Sequence, residues 1–148
     1  MRKKKVLFVC IHNSARSQMA EAWLNHLCPE FAVAESAGLE PGKLNVLAVE
    51  VMKEAGIDIS GNLTKGTLEL FTHGNKYDFV ITVCDEKAAE RCPTYPGFTQ
   101  RLHWIFADPS KFEGSWDERI AQARSVRDDI KAHIQQWCES ECKASLSV

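Results

Sequence analysis

The sequence predicts an α/β fold built on a parallel sheet, and two observations carry that reading. A short continuous apolar run, Val6-Leu7-Phe8-Val9-Cys10, recurs in kind as Phe79-Val80-Ile81-Thr82-Val83-Cys84. Such runs, rich in β-formers and lacking polar alternation, suit strands buried on both faces. Helix-periodic segments alternate with the strand-like ones, which implies parallel strands joined by right-handed crossovers. The 148 residues show no internal repeat or linker-like stretch and suit a single domain over 1–148.

After Cys10 a polar stretch leads into Ala20, Trp23, Leu24 and Leu27, spaced i, i+3, i+4, i+7 as on an amphipathic helix. Residues 31–35 suggest a second strand, closed by Ser36-Ala37-Gly38. Ala48, Val51, Met52 and Ala55 mark another helix, with Gly56 placed as its C′ stop. Beyond the 79–84 strand, residues 85–91 are helix-competent and 102–106 form a weaker strand. Ser115 and Glu118 make a capping box for a last helix. Its apolar face is Ile120, Ala123, Val126, Ile130, Ile134 and Trp137, and the tail after about 138 is expected to be disordered.

Composition excludes several classes. Eighteen Lys+Arg against 20 Asp+Glu give a net charge of −2, without the basic excess of a general nucleic-acid binder. No apolar run approaches the roughly 18 residues of a membrane span. The apolar stretch after Arg2-Lys3-Lys4-Lys5 is shorter than the roughly 7–15 residues of an export signal, so a cytoplasmic location is expected. In that reducing compartment the six cysteines are not expected to form static disulfides. They are core filler, metal ligands or redox groups.

Cys10-Ile11-His12-Asn13-Ser14-Ala15-Arg16-Ser17 sets Cys-x5-Arg between a strand and a helix. The spacing alone arises by chance roughly 0.3 times in a chain of this composition, so context must carry it. A loop entering a helix N-terminus offers backbone N–H groups and the positive end of the dipole, a cradle for an oxyanion. Arg16 adds a planar fork for two oxygens, Asn13 tolerates the αL turn such a cradle needs, and Ser17 can donate to the Cys10 thiolate. An ordinary thiol is about 3% thiolate at neutral pH, so ionisation alone contributes at most roughly thirtyfold. Positioning and charge stabilisation must supply the rest. The plain alternative is a buried cysteine ending a strand and a solvated arginine starting a helix.

The stretch from Val6 through Cys10-Ile11-His12-Asn13-Ser14-Ala15-Arg16-Ser17-Gln18-Met19-Ala20-Glu21-Ala22 resembles the start of the arsenate reductases related to low-molecular-weight protein tyrosine phosphatases. Ser36-Ala37-Gly38, Glu54-Ala55-Gly56-Ile57-Asp58-Ile59-Ser60, Val83-Cys84, Cys92-Pro93 and Asp108-Pro109 continue the likeness in order. The resemblance implies a three-layer fold with a central four-stranded parallel sheet flanked by helices. It implies a loop of His12, Asn13, Ser14, Ala15, Arg16 and Ser17 binding arsenate, with phosphate or sulfate competing. Cys10 would be the nucleophile, Asp108 the general acid, and Cys84 and Cys92 the second and third thiols of a relay. Thioredoxin or a similar thiol reductant would then regenerate the enzyme, a monomer.

The sequence departs from the family in places. Seven intervening residues separate Cys84 and Cys92 where six are common. Some members hold potassium with side chains matching Asn13, Glu21 and Ser36 plus an aspartate. Here Thr64-Lys65-Gly66 brings a cation to that place, which argues against potassium; no other metal or tightly bound cofactor is expected. Ser110-Lys111-Phe112 replaces the tyrosines that phosphatases of the sister branch carry after Asp-Pro. If 85–91 is helical, eight residues at about 1.5 Å each set Cys84 and Cys92 about 12 Å apart, too far for a disulfide without rearrangement. Cys28 reads as filler, while Cys138 and Cys142 could be spare redox thiols or part of a metal site. The rival functions are a small phosphatase using Cys10, Arg16 and Asp108, and a non-enzymatic thiol sensor.

Overall fold

A computed structural model describes residues 2–92, 97 and 99–146. The strands are β1 (Lys4–Cys10), β2 (Ala32–Gly38), β3 (Phe79–Thr82) and β4 (Gln100–His103). The helices are α1 (Arg16–Leu27), α2 (Val46–Glu54), α3 (Thr67–Thr72), α4 (Glu86–Ala89) and α5 (Trp116–Leu146), with a 3₁₀ turn at Pro109–Lys111. The sheet runs β2-β1-β3-β4 with every neighbouring pair parallel, as the buried apolar runs require.

β1 lies at the centre, and its side chains divide by the period of two. Val6, Phe8 and Cys10 face the larger core, shared with Met19, Leu24, Val51, Ile130 and Ile134 of α1, α2 and α5. Leu7 and Val9 face a smaller core with Leu70 of α3, Val80 and Cys92. Helices therefore cover both sheet faces. The register Cys10↔Gly38, with Val83 donating to the Val9 carbonyl at 2.8 Å, aligns the carboxyl ends of β1, β2 and β3. Loops converge there, as expected for a ligand site of an open α/β sheet.

The capping box forms as read: Glu118 N–H donates to Ser115 Oγ at 3.1 Å, and Ser115 N–H donates to Glu118 Oε1 at 3.3 Å. Gly56 follows the Ala55 cap with φ of 86°, the left-handed C′ position. β2 continues to Gly38, so Ser36-Ala37-Gly38 is strand and not its closure. β4 falls at Gln100–His103 instead of 102–106, because pairing of Phe79 with Gln100 through Thr82 with His103 sets its register. It is a largely exposed edge strand, and the apolar signal came from Trp104 and Phe106 just past it.

Two expectations about the cysteines are corrected. α5 continues to Leu146, so the region after 138 is helical through that residue. Cys28 is not filler, and the expectation that none of the six cysteines forms a structural disulfide does not hold: Cys28 is disulfide-bonded to Cys138. Packing gives the reason, since Ile134, Trp137 and Cys138 extend the buried stripe of α5 against the end of α1. There the two Cα atoms stand 6.6 Å apart, within bridging range. Pro93, quoted with Cys92 above, lies outside the described residues.

Candidate active site

The loop 11–15 joins β1 to α1 and wraps the Cys10 sulfur. Asn13 takes φ of 55°, the left-handed turn expected of it, and is fully buried. Its backbone N–H donates to Cys10 Sγ at 3.1 Å. Its side-chain Nδ2 donates to Ser17 Oγ at 2.8 Å, which leaves the Ser17 hydroxyl proton to point at Cys10 Sγ, 2.9 Å away. Asn13 N–H and the Ser17 hydroxyl thus both stand within hydrogen-bond reach of the Cys10 sulfur.

The carbonyls of this loop are all engaged on its outer side. Those of Cys10, Ile11, His12 and Ser14 accept from Leu39, Glu40, Gly42 and Asn45, at 2.7–3.1 Å. That of Asn13 accepts from the buried Gln18 side chain at 3.1 Å. Each peptide plane held by its carbonyl turns the N–H of the next residue the other way, toward the concave face. This is a nest for an anion at a helix N-terminus. Gly38 makes it possible: a Cβ there would stand 2.6 Å from Asn13 N and 2.7 Å from His12 C.

Arg16 is buried, with its guanidinium 3.4 Å from Asp108 Oδ2 and 3.5 Å from the Phe106 carbonyl. Asp108 also caps the following turn, accepting from Ser110 N–H at 3.0 Å and Ser110 Oγ at 2.8 Å. Burial pushes the Asp108 carboxyl up, but the Ser110 hydrogen bonds and the charges of Arg16 and Lys111 outweigh it and hold it below the usual range. His12 turns outward, its Nδ1 2.9 Å from the Glu40 carbonyl, so only its backbone faces the cradle.

Cys84 follows Val83 at the end of β3 and shares the core cluster that holds Cys10. Cys92 packs on the opposite sheet face, with Leu7, Val9 and Val80. Between them lies one helical turn, shorter than the 85–91 helix the sequence suggested, started by Asp85 Oδ1 accepting from Ala88 N–H at 2.9 Å. Burial, then the neighbouring Cys10 charge, raises the Cys84 thiol to about 11, against the pull of Arg16. Burial also raises Cys92, opposed by Arg101.

Beside the loop, Lys65 Nζ lies 3.8 Å from Glu21 Oε1, which also accepts from Ser36 Oγ at 3.2 Å. The Lys65 backbone N–H donates to Asn13 Oδ1 at 2.9 Å. Burial raises Glu21 despite Lys65 and the Ser36 hydrogen bond. The Lys65 ammonium thus stands beside the Glu21 carboxylate that the Ser36 hydroxyl also holds. Among the described residues no group of three or more His, Cys, Asp or Glu converges to hold a metal. Sequence reasoning gave no role to Gly38, Gln18 or Ser110. Gln18 lies on the side of α1 that carries Glu21 and Asn25, opposite the apolar stripe, and it is buried only because Asn13, Asn62 and Leu63 pack over it, so nothing in the sequence marked it.

Residues 5–146 match the family described as low molecular weight phosphotyrosine protein phosphatase. The chain belongs to that family. Among family relatives, it is 44% identical over 141 residues to an arsenate reductase of Bacillus licheniformis, covering 95% of this chain and 99% of that one. A solved arsenate reductase in its phosphate binding state superposes with a TM-score of 0.71 at 30% identity, covering 93% of this chain and 98% of that chain. A thioredoxin-dependent arsenate reductase of Corynebacterium glutamicum gives 0.61 at 28% identity, covering 92% of this chain and 63% of that one.

Proposed function

We propose that this protein reduces arsenate to arsenite through a Cys10–Cys84–Cys92 relay and is re-reduced by thioredoxin or a similar protein dithiol. One observation carries the reading against simple phosphoester hydrolysis. Two further buried thiols lie at either end of the turn after β3, the nearer one close enough to feel the Cys10 charge. A phosphatase needs Cys10, Arg16 and Asp108 and has no use for the others. The arsenate reductase relatives support the same choice.

In the first step the Cys10 thiolate attacks arsenic while Arg16 and the loop N–H groups hold the other oxygens. One As–S bond forms and one As–O bond breaks, with Asp108 delivering the proton that lets the oxygen leave as water. Asp108 begins as a carboxylate opposite Arg16. An oxyanion entering the nest engages Arg16 and brings negative charge beside Asp108, and both effects raise its proton affinity. Adduct formation also neutralises the Cys10 sulfur and so removes one of the causes that keep Cys84 protonated. Cys84 then attacks Cys10 Sγ, the As–S electron pair returns to arsenic, and arsenite leaves a Cys10–Cys84 disulfide. Cys92 attacks Cys84 Sγ, frees the Cys10 thiolate and leaves Cys84–Cys92 for a dithiol to reduce.

Phosphate and sulfate compete for the nest without being reduced. The Lys65 ammonium makes the reaction independent of potassium, and the protein works as a cytoplasmic monomer. No helix among the described residues is long and apolar enough to cross a membrane. NADPH consumption in the presence of arsenate, thioredoxin and thioredoxin reductase tests the reading. Turnover abolished by both Cys10→Ser and Cys84→Ser supports it. Phosphoester hydrolysis surviving Cys84→Ser and Cys92→Ser, without arsenate turnover, would establish the phosphatase instead.

A further inference from the structure

A second group of sulfurs lies away from the anion loop, where α1 ends against α5. Cys28 caps the C-terminus of α1 and is bonded to Cys138 of α5, 110 residues away. Cys138 is buried beside Trp137, and Cys28 is half-buried. Cys142, a half-buried thiol, follows Cys138 by four residues on the same helix and so lies on the same face one turn on. Nothing in the arsenate relay uses these three.

We infer that, once its disulfide is reduced, the Cys28–Cys138 pair binds trivalent arsenic, with Cys142 as a third sulfur. Two cysteines placed to bond each other directly are within reach of one ion bridging both. Their Cα separation of 6.6 Å is near the upper end of the disulfide range, about 6.8 Å. Parting the two sulfurs to admit one more atom therefore asks little of the backbone. The i,i+4 spacing sets the Cβ atoms of Cys138 and Cys142 about 5–6 Å apart, close enough for two thiolates to converge on one centre. Soft sulfur ligands favour soft ions, and trivalent arsenic is one.

The chemistry balances without an outside oxidant. A protein dithiol reduces Cys28–Cys138 by thiol–disulfide exchange, losing two electrons and becoming a disulfide itself. Arsenious acid then exchanges three As–O bonds for three As–S bonds. The three thiol protons leave with the three hydroxyls as water, and arsenic stays trivalent. In the disulfide form two of the three sulfurs are bonded to each other and, among the described residues, no three-ligand group converges there, so the site opens only on reduction. The inference rests on the arsenate reductase reading for the source of the arsenite; the binding chemistry belongs to the chain's own thiols.

The test uses the full chain, reduced with a phosphine, freed of reductant and titrated with sodium arsenite. Brief alkylation and mass spectrometry then follow each cysteine, and arsenate turnover is assayed separately on the same preparation. Cys28, Cys138 and Cys142 are expected to become protected together. Cys28→Ser and Cys142→Ser should each raise the arsenite midpoint for protecting Cys138 at least tenfold, with arsenate turnover unchanged. Equal alkylation of Cys28 and Cys138 with and without arsenite, or protection confined to Cys10, Cys84 and Cys92, overturns the inference. Protection of the tail thiols in a preparation that fails to turn over arsenate would contradict the catalytic reading and leave this one standing.

Discussion

Replacing Gly38 with alanine perturbs the anion nest through its backbone alone, without altering any side chain of the site. Gly38 does not have a positive φ, so alanine suits its backbone and the effect isolates close approach. The added Cβ would stand 2.6 Å from Asn13 N, 2.7 Å from His12 C and 2.8 Å from the Ile11 carbonyl oxygen. All three are backbone atoms of the cradle, and none can swing aside as a side chain would. Restoring ordinary contact at 3.4 Å or more from Asn13 N needs a displacement of about 0.8 Å. Misplacement of a reacting geometry by about 1 Å costs on the order of 100-fold, and overpacking costs roughly 1–3 kcal/mol of stability. Gly38→Ala should therefore stay folded by circular dichroism, with a lowered Tm, while kcat/KM for arsenate in the thioredoxin-coupled assay falls about 100-fold. Arsenate turnover within threefold of wild type would refute the claim that Gly38 shapes the nest.

Other consequences can be checked alongside it. The Cys84 thiolate, followed by ultraviolet absorbance, should titrate near pH 11, and Cys10→Ser should lower that midpoint, because removing a neighbouring negative charge favours ionisation. Initial rates should be equal in potassium and in sodium at matched ionic strength; clear activation by potassium would contradict the pairing of Lys65 with Glu21. Cys28→Ala removes a cross-link spanning 110 residues. It should lower stability by about 2–4 kcal/mol, a Tm drop of roughly 5–15 °C, without changing arsenate turnover. An unchanged Tm would show that the disulfide does not contribute to stability. Ser17→Ala removes the hydroxyl 2.9 Å from Cys10 Sγ that also accepts from Asn13 Nδ2, and kcat/KM for arsenate should fall roughly tenfold with the fold intact by circular dichroism.

The sheet and the first half of the site were legible because each rests on local signals. The run Val6 to Cys10 states a doubly buried strand, and Asn13 with Arg16 states a turn into a helix N-terminus. Less visible were features that depend on distant packing. β4 was displaced because an exposed edge strand takes its register from β3 and lacks an apolar pattern of its own. The six residues of α3 bury only Thr67 and Leu70, too few to show a helical period. The need for glycine at position 38 exists only because β2 brings it against the loop after β1. The Cys28–Cys138 bond likewise depends on where α5 crosses the end of α1, which no spacing in sequence encodes. The same crossing makes the C-terminal residues through Leu146 a helix instead of a disordered tail.

The relay itself is tested most directly by stopping it halfway. In Cys92→Ser the disulfide formed by the first two thiols cannot be passed on. One equivalent of arsenate added to the reduced variant should yield close to one equivalent of arsenite. Peptide mapping should then find Cys10 joined to Cys84. Arsenite formed with no Cys10–Cys84 disulfide, or no arsenite at all while Cys10 still binds the anion, would contradict the account.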